Sequence, residues 1–301
     1  MKNCNESRVR ARYESFWNGD NDTPLLCVVA PKDNARWDDA PAAPDEIAQR
    51  WLDAEYVIAR NRYILENTAY IGEAFPVFFA NFGPDILGAI LGCEIEFGDD
   101  TSWAVHAAED IASLPPVRFD ENSKWFRRMM EMTQALLSDS RGDYAVGNND
   151  FHTGLDALVS MIGPEQLCVD LLTERETVEQ RLHECADAYE QIFARENRLI
   201  RSKQNFSTNW MGHYSRKNWY VTSCDFSALI SPAMFEELAI PYLKREMRAL
   251  DRSFYHLDGK DALRHLPALL ALPELDGIQW VYGAGAPTAR HWIPLLQQIQ
   301  A

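Results

Sequence analysis

The stretch SFYHLDGKDALRHLPALL, from Ser253 to Leu270, decides the fold class. A short apolar run ends in a histidine and an aspartate two residues apart, and a helical pattern begins directly after Gly259. Such a run is typical of a strand buried on both faces of a parallel sheet, where each strand is followed by a crossover helix. His256 and Asp258 end that strand, and residues two apart on a strand point to the same side.

Strand-then-helix alternation of this kind recurs along the chain. The strand candidates are PLLCVVAP (24–31), FPVFFANFGP (75–84), YAVGNND (144–150), two strand pieces within 206–226, SFYHLDG (253–259) and LDGIQWVYG (275–283). About six such units in tandem predict an α/β barrel or an open doubly wound sheet. No GxGxxG motif follows the first strand, which favours the barrel.

We therefore predict a single domain over residues 1–301 with the fold of a (β/α)8 TIM barrel and an N-terminal helical extension. About six units are fewer than the eight of a complete barrel. Either loops hide further strands or the chain lacks its last βα units. The clearest helix is predicted from Glu174 to Arg201, and Ser231 followed by Pro232 predicts another helix start. Pro241 is expected to kink that second helix.

Composition excludes several classes of function. The net charge of −16 argues against binding to nucleic acid, which requires clustered Lys and Arg. No apolar run approaches the roughly 20 residues that span a bilayer, and the first residues lack the apolar core of a signal peptide. The six cysteines have no CxxC spacing, so thiols in a reducing cytoplasm are predicted rather than a disulfide framework.

Chemistry is expected at the carboxyl ends of the strands, where sites form in barrels and open α/β sheets. His256 and Asp258 can bind a divalent metal such as zinc or act as an acid/base pair. Alternatively, Asp258 caps the following helix and His256 donates to a backbone carbonyl. Asp225 ends the preceding strand region in the same way and is either a third carboxylate of the site or a turn-forming residue.

Other polar and aromatic residues follow the remaining strands. Asn149 and His152 come after YAVGN and can hydrogen-bond a polar substrate, although a loop of turn formers has the same composition. Trp210 and Tyr220 belong to an aromatic-rich segment that either covers a flat ligand or lines the core.

Several segments resemble the uroporphyrinogen decarboxylase superfamily, which includes cobamide-dependent methyltransferases. They are DFSALISPAMFEELAIPYLKR (225–245), HLDGKDALRHL (256–266), LDGIQW (275–280), FGPDILGAILGCEIEF (82–97) and LVSMIGPEQLCVDLLTERETVEQRL (158–182). The resemblance covers most of the chain from about Phe75 and implies a (β/α)8 barrel. Asp85 lies in an Asp-Ile-Leu like that of the decarboxylases' catalytic aspartate. The decarboxylases' arginine-rich segment is matched only by VVAPKDNARW (28–37), which disfavours a porphyrinogen substrate.

The methyltransferase branch of that superfamily holds zinc through a His-x-Cys-Gly segment and a later cysteine. The resemblance places His256 on the histidine and Asp258 on the cysteine, and the later cysteine falls beyond Ala301. It implies a site for zinc or another divalent metal that is harder than a His/Cys site. It also implies a corrinoid carried by a partner protein as the source of a methyl group.

The prediction that combines these observations is a cytoplasmic enzyme for metal-assisted methyl transfer to a small acceptor. His256 and Asp258 hold the metal or act as acid and base, assisted by Asp225. The residues expected to line the substrate pocket are Asn81, Asp85, Asn149, His152, Trp210, Tyr220, Gln279 and Trp280. Two alternatives stay open: a cofactor-free decarboxylase of a porphyrinogen or smaller carboxylic acid, and a catalytically inactive small-molecule-binding barrel. The exposed apolar edge of an unclosed barrel predicts a homodimer or instability.

Overall fold

A computed structural model describes residues 6–301 of the chain, and about half of them are helical. The strands within this range are short and mostly five residues or fewer. They are β1 Cys27–Pro31, β2 Thr68–Gly72, β3 Val77–Phe78, β4 Glu94–Phe97, β5 Ser102–Val105, β6 Ala145–Val146, β7 Trp219–Ser223, β8 Arg252–Asp258 and β9 Gly277–Val281.

Helices follow or precede most of these strands. The α-helices are α1 Glu6–Asn18, α2 Ile47–Leu52, α3 Ala54–Asn67, α4 Ile86–Ile90, α5 Lys124–Ser140, α6 Gly154–Ile162, α7 Pro164–Thr173, α8 Arg175–Arg201, α9 Pro232–Leu238, α10 Ile240–Arg248, α11 Leu266–Leu270 and α12 Ile293–Gln300. Short 3-10 helices cover Trp37–Asp39, Asp225–Leu229, Lys260–His265 and Ala289–Trp292.

The predicted helix signals are confirmed by this list. The long helix α8 ends at Arg201 as predicted, and the Ser231 side chain caps α9 by accepting from the backbone N–H of Met234. The chain breaks between α9 and α10 just before Pro241, because proline cannot continue the hydrogen-bond ladder. None of the helices in the described range is both long and apolar enough to cross a membrane.

Five of the predicted strand regions take part in parallel pairing, in two separate groups. β3 pairs with β6, and an isolated parallel bridge then joins Asn148 to Asn209. The Ser207 hydroxyl donates to the carbonyl of Trp219 at the start of β7. β7, β8 and β9 form a continuous three-stranded parallel sheet. Within each group the strands are parallel, so their carboxyl ends point in one direction.

The closed ring of a TIM barrel is not confirmed. Within residues 6–301 the strands hydrogen-bond as four separate small sheets, and β9 pairs only with β8. Two features limit closure: β3 and β6 pair over only two residues each, and Asn209 makes a single parallel bridge to Asn148, beyond the end of β6. The observed fold is mixed α/β with short sheets.

The first predicted parallel strand, PLLCVVAP, is wrong in both partner and burial. β1 pairs antiparallel with β2, and four of its five residues are exposed. Leu26 and Val29 are more than half exposed. The two strands therefore form an antiparallel ribbon outside the parallel arrangement.

The predicted N-terminal helix packs across the amino ends of the parallel strands. Val9 and Tyr13 of α1 are buried in a cluster that includes Phe75, next to β3. Trp17 contacts Trp219 and Phe254 from β7 and β8. Because α1 covers this end, the opposite end of the strands is left for a site.

Candidate metal centre

Three side chains that could ligate a metal meet at the carboxyl ends of β7 and β8. The strand register aligns Ser223, His256 and Gln279 in one row across the sheet. Asp258 comes two residues after His256 on β8, so the two side chains project from the same side. Asp225 is the first residue of the 3-10 helix that follows β7. One ligand atom from each of Asp225, His256 and Asp258 lies within 4.8 Å of the others. Sites for divalent metals have this geometry.

The His256 ring is held from two sides. Its Nδ1 lies 2.6 Å from the side-chain oxygen of Gln279. The Trp210 ring packs edge-on against the imidazole at a centroid distance of 5.5 Å. Because the Gln279 oxygen can only accept, Nδ1 carries the proton and Nε2 keeps a lone pair for a cation. An oriented imidazole of this kind is typical of metal ligands.

Asp225 is positioned by a buried carboxylate on α6. The two oxygens of Asp156 accept the backbone N–H groups of Asp225 and Phe226, each at 2.8 Å. Asp156 is 4% exposed. Burial raises the pKa of Asp156 to about 6, against the lowering effect of these hydrogen bonds. Asp156 therefore fixes the backbone of a ligating residue without itself facing the site.

His152 lies beside Asp225 on the neighbouring loop. Its Nε2 is 3.7 Å from a carboxylate oxygen of Asp225. Burial alone lowers the pKa of His152, but the surrounding carboxylates, above all Asp156 and Asp225, outweigh burial and raise that pKa. The imidazolium form is therefore favoured in an otherwise acidic cluster that also includes Asp150.

Glu196 of α8 holds the loop that carries Asp150 and His152 in place through hydrogen bonds. The Glu196 carboxylate accepts from the side-chain amides of Asn148 and Asn149. Burial raises the pKa of Glu196 to about 7. The Asn149 carbonyl in turn accepts from a buried tyrosine hydroxyl of β7 at 2.6 Å.

Three of the other predicted pocket residues, Tyr220, Asn149 and Asp85, form hydrogen bonds inside the protein. Tyr220 is the tyrosine just described, and its hydroxyl also accepts from the N–H of Phe151. The polar groups of Tyr220 and Asn149 are therefore engaged inside the protein. The Asp85 carboxylate accepts from the Ser160 hydroxyl at 2.6 Å and from a backbone N–H.

Asn81 and Trp280 lie away from the ligating atoms. Asn81 is exposed and lines a cavity between β3 and the helices α2 and α3. Trp280 follows Gln279 directly, so the two side chains leave β9 on opposite faces. The Trp280 ring packs against Trp292 at 5.1 Å, while Gln279 reaches His256.

Two positioning residues were missed by sequence reasoning, although each leaves a signal. Asp156 is the one charged residue in the apolar helix GLDALVSMI. Glu196 continues the apolar stripe of α8, four residues after Ile192. A charged residue at a core position is rarely buried without a partner. A charged residue at such a position therefore indicates a side chain that holds neighbouring groups in place through hydrogen bonds.

The comparisons with known proteins bear on the fold. No protein-family model matches the chain, and no curated protein matches it in sequence. The chain is similar in structure to a methyltransferase from Methanosarcina mazei, with a TM-score of 0.58 over 90% of this chain and 75% of that one. The two sequences are 11% identical. This likeness shows a methyltransferase-like fold, and activity has to be argued from the residues of the site.

Proposed function

We propose that this chain is a metal-dependent methyltransferase of the uroporphyrinogen decarboxylase type. The observation that carries the proposal is the convergence of Asp225, His256 and Asp258 at the strand ends, with ligating atoms within 4.8 Å of one another. The methyltransferase-like fold supports the class of reaction. The resemblance of segments 225–245 and 256–266 supports the superfamily and its (β/α)8 architecture.

The donor set fits a divalent cation of borderline or hard character. Two carboxylates and one imidazole match the preferences of zinc and also of manganese, whereas a thiolate site is more selective for zinc. Cys224 is the cysteine nearest in sequence, and burial raises the pKa of its thiol, which disfavours the thiolate needed for ligation. We therefore assign the cation to Asp225, His256 and Asp258.

When bound, a divalent cation lowers the pKa of a coordinated acceptor and so favours its deprotonated, nucleophilic form. The residues of the chain orient the partners of this reaction. Gln279 keeps Nε2 of His256 directed to the cation, and Asp156 holds the backbone of Asp225. His152, in its favoured imidazolium form, can donate a hydrogen bond to an anionic group of the substrate.

The methyl donor in this proposal is a corrinoid carried by a partner protein, and this part rests on the sequence resemblance alone. The acceptor loses a proton and gains the methyl group, while cobalt keeps the electron pair of the broken Co–C bond. The acceptor is a small molecule with a thiol or another group that a divalent cation can deprotonate.

The proposal is tested with methylcobalamin as donor and a panel of small thiols and amines as acceptors. The zinc- or manganese-loaded protein is expected to form methylated product and cob(I)alamin, detected by mass spectrometry and by absorbance. His256→Ala should lose at least about 99% of this activity, and the exposed control His183→Ala should keep it. Equal rates for all three proteins, or no product with any acceptor, would contradict the proposal.

A metal-free decarboxylase is the second candidate, and it receives less support from the site. Asp85 and Asp225 are the two acids that this reaction could use, and Asp85 has both carboxylate oxygens engaged by Ser160 and the backbone of Ala104. A decarboxylase would release CO2 from a small carboxylic acid in the presence of a chelator. The same protein preparation tested with and without chelator distinguishes the two reactions.

A further inference from the structure

A second cavity lies apart from the candidate metal centre. It has a volume of about 440 Å³ and is enclosed by α2, α3, β3 and the turn between β4 and β5. None of its lining residues belongs to the Asp225, His256 and Asp258 cluster. The volume falls within the roughly 300–1,000 Å³ of small-molecule sites.

One face of α3 forms a wall of this cavity. Residues Tyr56, Val57, Arg60, Asn61 and Ile64 recur at helical spacing and all line it. Opposite them stand the side chains of the strand β3 and of the residues that follow it, which are Val77, Phe78, Phe79 and Asn81. The cavity is therefore lined by aromatic and aliphatic side chains together with charged and amide side chains.

The aromatic wall is fixed before any ligand arrives. The Trp51 indole N–H donates to the Gly98 carbonyl at 2.9 Å, and its ring packs on Phe97. Arg50 donates to the Asp99 carboxylate at 2.9 Å and to the Pro44 carbonyl. These contacts tie α2 to the β4–β5 turn, so the cavity needs little ordering on binding.

A buried amide inside the cavity has no partner. Asn61 is 8% exposed, and its side chain makes no hydrogen bond to the residues that the structure describes. Its polar atoms still reach solvent, so a ligand that pairs with this amide takes the place of water. Asn61 offers one acceptor and two donor hydrogens, which complement the donor and acceptor edge of another amide.

The charges around the cavity cancel. Arg50 and Asp99 neutralise each other, and Arg60 and Asp100 are exposed residues of opposite charge. A charged ligand would therefore give up its hydration without a net countercharge. We propose that this cavity binds an uncharged, flat molecule that carries a carboxamide- or lactam-type edge, which pairs with Asn61 between the aromatic walls. This inference is independent of the proposed metal chemistry.

Three probes with one ring and different charges test the proposal: benzamide, benzoate and benzylammonium. Binding to the full chain is measured by calorimetry and saturation-transfer NMR. Benzamide is expected to bind, and both charged probes should bind at least about tenfold more weakly. Asn61→Leu should weaken benzamide about tenfold because it removes the pairing edge. His256→Ala should leave benzamide binding unchanged.

Each possible result of these measurements either supports or overturns the proposal. No benzamide binding by the natural chain, charged probes that bind as tightly, or an Asn61→Leu variant with unchanged affinity would each overturn it. If Asn61→Leu does not fold, Tyr56→Ala replaces it, because loss of this half-buried ring removes one wall and also predicts weaker benzamide binding.

Discussion

Two segments that the sequence predicts as buried parallel strands are placed in very different surroundings in this molecule. Segment SFYHLD forms β8, a central parallel strand whose first four residues are buried. Segment CVVAP forms β1, an antiparallel ribbon with β2 in which four of five residues are exposed. The difference is the number of partners: β8 has a strand on each side and helices over it, whereas β1 has one neighbour.

This contrast separates the part of the molecule that holds the candidate metal centre from the β1–β2 ribbon. The ends of β7 and β8 hold the ligating side chains, and buried carboxylates such as Asp156, Glu196 and Glu246 lie beneath them. The β1–β2 ribbon holds no such cluster within the described residues. Substitutions at the strand ends should therefore change metal affinity, whereas substitutions in the ribbon should leave metal affinity unchanged and alter stability only slightly.

The largest expected effect concerns the pH dependence of stability. Burial raises the pKa of Glu246 from 4.5 to about 8. The folded protein therefore keeps a proton that the unfolded chain releases, and the free energy of unfolding falls as pH rises from 4.5 to 8. At about 1.4 kcal/mol per pH unit, the loss is on the order of 5 kcal/mol.

Glu246→Gln should remove the contribution of this carboxyl to the pH dependence, whereas the contributions of Asp156 and Glu196 remain. Urea unfolding midpoints at pH 5 and pH 8.5 should then differ less for the variant than for the natural chain, and the variant should be the more stable at pH 8.5. Glu236→Gln, an exposed change on α9, is the control and should alter neither midpoint. A Glu246→Gln variant with an unchanged pH profile would show that this carboxyl is charged in the folded protein.

The next effect is on metal affinity at the strand ends. Asp258→Asn removes a charged ligand from the Asp225, His256 and Asp258 cluster and should weaken zinc or manganese binding by about a hundredfold. Because Asp258 is exposed, the melting temperature without metal should change little. Calorimetry gives the affinity and thermal unfolding gives the stability. A large loss of stability without loss of affinity would reassign Asp258 to helix capping.

A smaller effect on metal affinity is expected for Asp156, which contacts the backbone of Asp225 and is not itself one of the three ligands. Asp156→Asn places an amide donor against one of the two backbone N–H groups that the carboxylate now accepts. Metal affinity should fall about tenfold, at the lower end of what loss of a supporting residue costs. Asp156→Glu is the comparison variant, since it keeps the charge and changes only the reach. Metal affinity equal to that of the natural chain would mean that the Asp225 loop is held by other contacts.

The smallest effects belong to the ribbon. Val29→Ser on β1 replaces a side chain that is 63% exposed, so the free energy of unfolding should change by less than about 0.5 kcal/mol. Metal affinity should be unchanged. A ribbon variant that weakens metal binding as much as Asp258→Asn would end the contrast between the two regions.

The strand ends of the candidate site could be predicted from sequence because the rule involved is local. Residues two apart share a face, so His256 and Asp258 were placed together, and Asp225 joined them through the ends of parallel strands. The same rule argued against Trp280, which is adjacent to Gln279 and must face the other side. In agreement with this rule, the Trp280 ring packs against Trp292 and not beside Gln279.

What the sequence did not reveal depends on partners far along the chain. An apolar run such as PLLCVVAP has the same pattern whether a second strand covers it or water does, because periodicity does not report neighbours. The cavity beside Asn61 is likewise assembled from α3, β3 and a turn near Asp99. Closure of the barrel depends on hydrogen-bond register across short strands, which no local signal specifies.

The most direct test of the central claim is metal binding by the natural chain compared with His256→Ala, followed by calorimetry after complete removal of metal. The account predicts one divalent cation per chain, bound at micromolar concentration or below, and affinity reduced at least about a hundredfold in the variant. A natural chain that binds no divalent cation, or a variant that binds it equally well, would contradict the claim that these strand ends form a metal centre.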